Sequence, residues 1–226
     1  MPHTSSTTDN VLQGRTFDAV LFDMDGTLID STPAVNRAWA TWASEWGVAK
    51  NDTAHGRPAR DIIEELVPAD RVDEAIARVL TLEIQDTNDI TVLPGAAALM
   101  LSLPEARRAI VTSCARPLAV ARLAASAFPA PEVIVTIDDT PLGKPNPEPF
   151  LTGAARLGFD PLRCLVIEDA PAGLQAGRSA GCTTIGVVGT YPAAGLDADL
   201  IVPGLDHLRI EVTEAGLVVH VGPPEN

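Results

Sequence analysis

The 226-residue sequence predicts an α/β fold with a mainly parallel sheet, and three observations carry that prediction. The first is a set of five short, nearly continuous apolar runs: FDAVLF (17–22), RAIVT (108–112), VIVTI (133–137), CLVI (164–167) and TTIGVV (183–188). Strands buried on both faces have this look, because neither side of the pleat meets water. The second is that helical stretches separate the later runs, at 117–128, 147–158 and 171–181. Each opens with Pro, which suits a first helical position, and the last two end in Gly, which suits a helix stop. Strand and helix in alternation require β-α-β crossovers, hence a parallel sheet covered on both faces.

The third observation is a block that breaks the alternation. Residues 32–90 contain three helical patterns, PAVNRAWATWASEWG, RPARDIIEELVP and DRVDEAIARVLTLEIQ, and no convincing strand. Val35, Trp39, Trp42 and Trp46 fall at helical spacing and draw one apolar stripe, best read as the packed face of a small helical bundle. The expected division is a tail at 1–14, a core built from 15–31 and 92–226, and a helical insert at 32–91. A short hairpin is expected within 205–226.

Composition narrows the function classes. Thirty acidic residues against sixteen basic ones give a net charge of -14. That excess disfavours nucleic acid and anionic membrane surfaces, since both recruit clustered cations. With 46% hydrophobic residues the chain can bury a core, yet no apolar run approaches the ~18 residues of a membrane span. The first ten residues lack the apolar segment of a secretory signal. Three cysteines, Cys114, Cys164 and Cys182, are too few and too scattered for a disulfide framework or a zinc site. The expectation is a soluble protein of the reducing cytoplasm. Fourteen of the basic residues are Arg and two are Lys, Lys50 and Lys144.

The chemistry gathers after the predicted strands. The first runs into Asp23-Met24-Asp25-Gly26-Thr27, which places two acids at the carboxyl end of a buried strand, where open α/β sheets bind ligands. A turn explains Asp25-Gly26 but leaves Asp23, still part of an apolar run, unexplained. Thr112-Ser113 follows the second core strand. Leu142-Gly143-Lys144-Pro145 precedes the 147–158 helix, and Val166-Ile167-Glu168-Asp169-Ala170-Pro171-Ala172-Gly173 follows the next strand.

DMDGTLIDS resembles the first signature of the haloacid dehalogenase superfamily, and the three further segments resemble its hydroxyl, lysine and acidic signatures in the right order. The resemblance covers 17 to about 202. It implies a Rossmann-like parallel core with an inserted helical cap of the C1 type, which closes over small soluble substrates and excludes water. Phosphoryl transfer needs a nucleophile, neutralised equatorial oxygens and a proton source. Asp23 is the candidate nucleophile and Asp25 the candidate acid/base. Thr112 would supply a hydroxyl and Lys144 an ammonium, with Ser113 beside the phosphoryl group. Mg²⁺ suits a site of few carboxylates plus water and phosphate. The resemblance assigns it to the Asp23 side chain, the Asp25 backbone carbonyl and Asp169, with Glu168 close by. An acid at position 25 disfavours haloalkanoic acid dehalogenation.

Within the insert, the segment 54–60 with His55, Gly56, Arg57 and Arg60 resembles the specificity loop of sugar and polyol phosphatases of the 2-deoxyglucose-6-phosphate and glycerol-3-phosphate type. β-Phosphoglucomutases show a Lys-Gly-x-Ser-Arg pattern there; this chain has His for the Lys and Ala59 for the Arg, while Arg57 or Arg60 remains available for a second phosphate. The expectation is a Mg²⁺-dependent phosphatase of a small phosphorylated sugar or polyol, with a hexose-phosphate mutase as the alternative. It would act as a monomer or weak homo-oligomer.

Overall fold

The computed structural model describes residues 12–49 and 59–224. In chain order the elements are β1 (Ala19–Phe22), β2 (Ile29–Asp30), α1 (Thr32–Trp46), α2 (Ala59–Glu64), α3 (Val72–Gln85), β3 (Thr91–Val92), α4 (Ala96–Ser102), β4 (Arg108–Val111), α5 (Arg116–Ala125) and β5 (Ile134–Val135). There follow α6 (Glu148–Leu157), β6 (Cys164–Glu168), α7 (Pro171–Ser179), β7 (Thr183–Val187), β8 (Leu200–Val202), β9 (Leu208–Thr213) and β10 (Gly216–Val221). A six-stranded sheet runs in the order β5-β4-β1-β6-β7-β8, every neighbouring pair parallel. The chain leaves β1 toward one edge and returns past it to the other, so β1 lies where the order reverses.

Successive side chains of a strand point to opposite faces, and the apolar runs divide accordingly. Val20 and Phe22 of β1 join Ile110, Leu165 and Ile167 on the face covered by α4 and α5. Ala19 and Leu21 join Ala109, Val111 and Val166 on the face covered by α6 through Phe150 and Ala154. The 17–22 run has two partners rather than one. Phe17 pairs with Leu217 of β10 through two backbone bonds of 2.9 and 2.7 Å, and the parallel strand starts only at Ala19. The hairpin expected near the C-terminus is β9–β10, and it docks on the core through that pairing.

The 133–137 run shortens to the two residues of β5. Asp139 accepts from the backbone N–H and the hydroxyl of Thr136, both at 2.8 Å, and this local cap turns the chain out of the strand. Helix α4, strand β8 and the β2–β3 pair are additional to the elements read from the sequence. β2 and β3 form a two-residue antiparallel neck, Ile29 opposite Val92 and Asp30 opposite Thr91, through which the chain enters and leaves the helical segment.

Helices α1, α2 and α3 pack around their own apolar cluster, which includes Trp39, Trp42, Ile62, Ile63, Ala75 and Val79. Trp42 is fully buried, and its indole N–H donates to the Ala75 carbonyl at 3.0 Å, so the ring fills the core without leaving a polar atom unpaired. Truncating such a side chain costs about 3–5 kcal/mol. The tryptophan stripe is therefore a packing stripe, although Trp39 also reaches a cavity against the core. Among the described residues no helix is long and apolar enough to cross a membrane.

Candidate active site

The sheet delivers the acidic and hydroxyl residues to one edge. Asp23 directly follows β1, and its N–H still donates to Ile167 of β6 at 2.9 Å, which fixes its backbone against the neighbouring strand. Thr112 directly follows β4 and donates from its backbone to Val135 at 2.9 Å. Glu168 ends β6, and Asp169 comes next. Between Asp25 and Thr27 the chain reverses at Gly26, whose φ of 88° favours glycine. A Cβ there would strike the Asp169 carboxylate and the Thr190 hydroxyl.

Lys144 reaches the cluster from the loop after β5. Its ammonium is 2% exposed, donates to Asp23 Oδ1 at 2.5 Å and Glu168 Oε1 at 3.1 Å, and lies 5.1 Å from the Phe150 ring centroid. Glu168 spends its other oxygen on the Ala170 N–H at 2.5 Å. Asp169 accepts from the Thr27 hydroxyl at 3.1 Å and from Thr190.

Three buried carboxylates thus face one ammonium. Burial, reinforced by the neighbouring acids and opposed by Lys144, raises the Asp23 carboxyl above the ordinary range. Burial and the Asp23 charge raise Asp169 likewise, and burial raises Glu168. Burial works against the Lys144 charge, but Asp23 and Glu168 outweigh it and hold the ammonium protonated. A cluster with this surplus of negative charge is short of a cation. Carboxylate oxygens of Asp23, Glu168 and Asp169 lie within 4.8 Å of one another, a hard oxygen donor set that fits a divalent metal.

The Asp25 side chain turns away from that cluster. Its carboxylate accepts from Ser31 Oγ at 2.6 Å, from Arg122 Nη1 at 2.8 Å and from Cys114 Sγ at 3.1 Å. Cys114 therefore bridges Asp25 and Arg122, the latter donating to its sulfur at 3.1 Å. Burial and the adjacent Asp25 charge push its thiol pKa up, which disfavours a nucleophilic thiolate. Arg122 Nη2 also donates to Glu83 Oε1 at 3.1 Å, and the Trp39 indole donates to the same oxygen at 3.3 Å.

Asp23, Asp25, Thr112, Ser113 and Asp169 all line one cavity of about 130 Å³ between the sheet edge and the helical segment. Its apolar wall includes Val35, Trp39, Val79, Leu80 and Leu118. Arg60 is not part of it: its side chain is 54% exposed and pairs with Asp73 and Glu64. His55, Gly56 and Arg57, with Lys50, lie outside the described residues.

Thr27, Ser31, Glu83 and Arg122 are absent from the sequence-based expectations. Two carried a usable signal. Glu83 continues the buried stripe Val72, Ala75, Val79 at helical spacing, and Arg122 falls four residues after Leu118 on the buried face of α5. A lone charge on an apolar stripe needs a buried partner.

Comparison with known proteins agrees with the geometry. Hexitol phosphatase A of Escherichia coli (strain K12) is 40% identical over 209 residues, covering 88% of this chain and 96% of that protein. Glycerol-1-phosphate phosphohydrolase 1 of Saccharomyces cerevisiae is 34% identical over 213 residues, 85% of this chain and 84% of the yeast protein. A hydrolase structure from Pseudomonas syringae shares the fold, with a TM-score of 0.75 at 24% identity over 83% of this chain and 94% of that one. The profile of haloacid dehalogenase-like hydrolases matches residues 17–181, and with that span the chain belongs to the haloacid dehalogenase-like hydrolase family.

Proposed function

We propose that the protein is a Mg²⁺-dependent phosphatase that hydrolyses a small phosphorylated sugar or polyol through an aspartyl-phosphate on Asp23. The observation that carries the reading is the buried Asp23 carboxylate, set at the end of β1 against Lys144 and within 4.8 Å of the ligating oxygens of Glu168 and Asp169. Relatives named for hexitol and glycerol phosphates support the substrate class.

Asp23 attacks phosphorus in line, and the bond from phosphorus to the leaving oxygen breaks. Asp25 gives that oxygen its proton. Water then attacks the phosphorus, the bond from phosphorus to the Asp23 oxygen breaks, and the proton lost by that water passes to Asp25, which restores the Asp23 carboxylate and the Asp25 acid. Thr112 and Ser113 offer hydroxyls to the phosphoryl oxygens, and Lys144 holds Asp23 in place while balancing charge on the transferred group. Asp23 and Asp169, with the Asp25 carbonyl and Glu168 nearby, would hold Mg²⁺, which would supply positive charge against that developing on the phosphoryl oxygens. The helical insert at 32–91 serves as the cap over the leaving group, a soluble metabolite of the cytoplasm.

The exposed pairing of Arg60 with Asp73 and Glu64 counts against its holding a second phosphate and leaves Arg57 as the cation a mutase would need there. The test is phosphate release from sugar, polyol and nucleoside monophosphates with and without Mg²⁺. Turnover should need the metal and vanish in Asp23→Asn, while the variant stays folded. An Asn variant with near-native activity would sink the mechanism. Formation of glucose 6-phosphate from β-glucose 1-phosphate and a trace of bisphosphate, faster than phosphate release, would establish the mutase instead.

A further inference from the structure

Arg122 and Glu83 carry opposite charges, come from different parts of the fold, and are both buried. Glu83 lies on α3 of the helical insert and is 8% exposed; Arg122 lies on α5 of the core and is 4% exposed. Burying a pair like this gains little stability over apolar side chains of the same volume. Their geometry does something apolar residues could not. One guanidinium spans 2.8 Å to Asp25 Oδ1 and 3.1 Å to Glu83 Oε1, so the acid/base carboxylate is tied through a single planar group to a helix of the insert. Trp39 of α1 donates to the same Glu83 oxygen and fixes it from the insert side. Among the described residues lining the cavity, Arg122 is the one cation.

We propose that Arg122 is a positioning residue for Asp25, and that Glu83 makes this positioning depend on the seating of the helical insert against the core. The guanidinium is a rigid fork, so its direction at Asp25 is set by where its other arm is held. With α3 seated, Glu83 holds that arm and the Asp25 carboxylate keeps one orientation against Ser31 and Cys114. With α3 withdrawn, the arm loses its anchor and Asp25 loses its fixed direction. Proton delivery to the leaving oxygen is thereby confined to the closed, water-poor arrangement. The inference rests on the phosphatase reading, in which Asp25 supplies that proton.

Two aryl monoesters of similar shape test it. Phenoxide is a strong base and needs protonation as it leaves, whereas p-nitrophenoxide leaves unassisted. kcat/KM reports the steps up to departure of the leaving group, so it isolates proton delivery. Arg122→Met should lower kcat/KM for phenyl phosphate about tenfold more than for p-nitrophenyl phosphate, a modest part of the 10²–10⁴-fold that acid–base catalysis supplies. Arg122→Lys should recover part of the selective loss. Glu83→Gln, which keeps its shape and removes the anchoring charge, should show the same selectivity at about threefold, and it decides the matter where Arg122→Met melts below the assay temperature. Equal falls on both esters would mean that Arg122 serves packing or substrate binding, and would overturn the clasp alone. A wild-type enzyme that releases phosphate from neither these esters nor any sugar or polyol monophosphate, or an Asp23→Asn variant as active as wild type, would overturn the phosphatase reading and the clasp with it.

Discussion

Gly173→Ala sets two local effects of opposite sign against each other, and the structure says which should win. Gly173 is the third residue of α7, where Ala would improve helix propensity by up to about 1 kcal/mol. A Cβ at that point, however, runs into the side chain of Glu168, closer than any real contact. A clash with the tip of a side chain is harmless if the tip can move, but this one is pinned. Lys144 holds one Glu168 oxygen at 3.1 Å, and the Ala170 N–H holds the other at 2.5 Å. Moving the carboxylate gives up two hydrogen bonds to a charged group, about 1.5–3 kcal/mol each. The expected net loss is about 2–5 kcal/mol, which for a chain of this size lowers Tm by about 4–20 °C. Lys144 also loses one of its two acceptors, so turnover should fall by at least about tenfold. Thermal melting and phosphate release on the same preparation check both parts. An Ala variant that melts at or above the wild type with full turnover would show that Gly173 does not hold Glu168 in place.

Other consequences of the charge arrangement are open to measurement. Mg²⁺ at about 100 times its Kd should raise Tm by about 5–10 °C, from roughly 2.7 kcal/mol of binding linkage, and Asp169→Asn should remove the rise. Because burial raises Asp23, Glu168 and Asp169 above ordinary carboxylates, they must shed protons to take the metal, so the rise should be larger at pH 8 than at pH 5. Asp139 behaves in the opposite way. Burial would push its carboxyl up, but Arg156 and Thr136 hold it well below the usual range. Its folded-state pKa is depressed, so its contribution is full above about pH 4 and is lost as pH falls further. Asp139→Asn should cost about 1–2 kcal/mol at pH 7 by denaturant titration, and the gap to wild type should close toward pH 2. A gap that persists there would mean that the loss is steric.

The parallel sheet was legible because its strands are buried on both faces, and burial on both faces leaves an unmistakable apolar run. What stayed hidden was whatever depends on pairing rather than burial. The β2–β3 neck consists of two residues on each side, held by partners more than sixty positions apart in the chain, and no local pattern marks it. Phe17 looks like the start of a strand, yet it pairs with Leu217, because the hairpin at the far end of the chain offers it a second edge. Thr136 looks like strand until Asp139, three residues on, captures its N–H. In each case a nearby or remote polar partner outcompetes the run, and hydrophobicity alone does not rank such partners.

The same division runs through the site. Asp23, Thr112, Glu168 and Asp169 could be read because each sits where an apolar strand stops, and the ends of adjacent parallel strands must meet. Lys144 stood out because the chain otherwise uses Arg almost throughout. Glu83 and Arg122 belong to helices, and a helix read for its apolar stripe conceals a charge that shares the stripe. The two lie 39 residues apart in the sequence, yet the cost of burying either charge alone already implied that a partner existed. The acidic excess of the whole chain takes on a different meaning beside them. The long-range field repels polyanions, while at the sheet edge three buried acids share one lysine, and in the cavity two acids share one arginine. A dianionic phosphate can approach the first group only with a cation added, whereas the second group, two acids against one arginine, carries the smaller surplus. That contrast favours a division of labour in which the metal and Lys144 receive the phosphoryl group, and Arg122 with its two acids governs the leaving group.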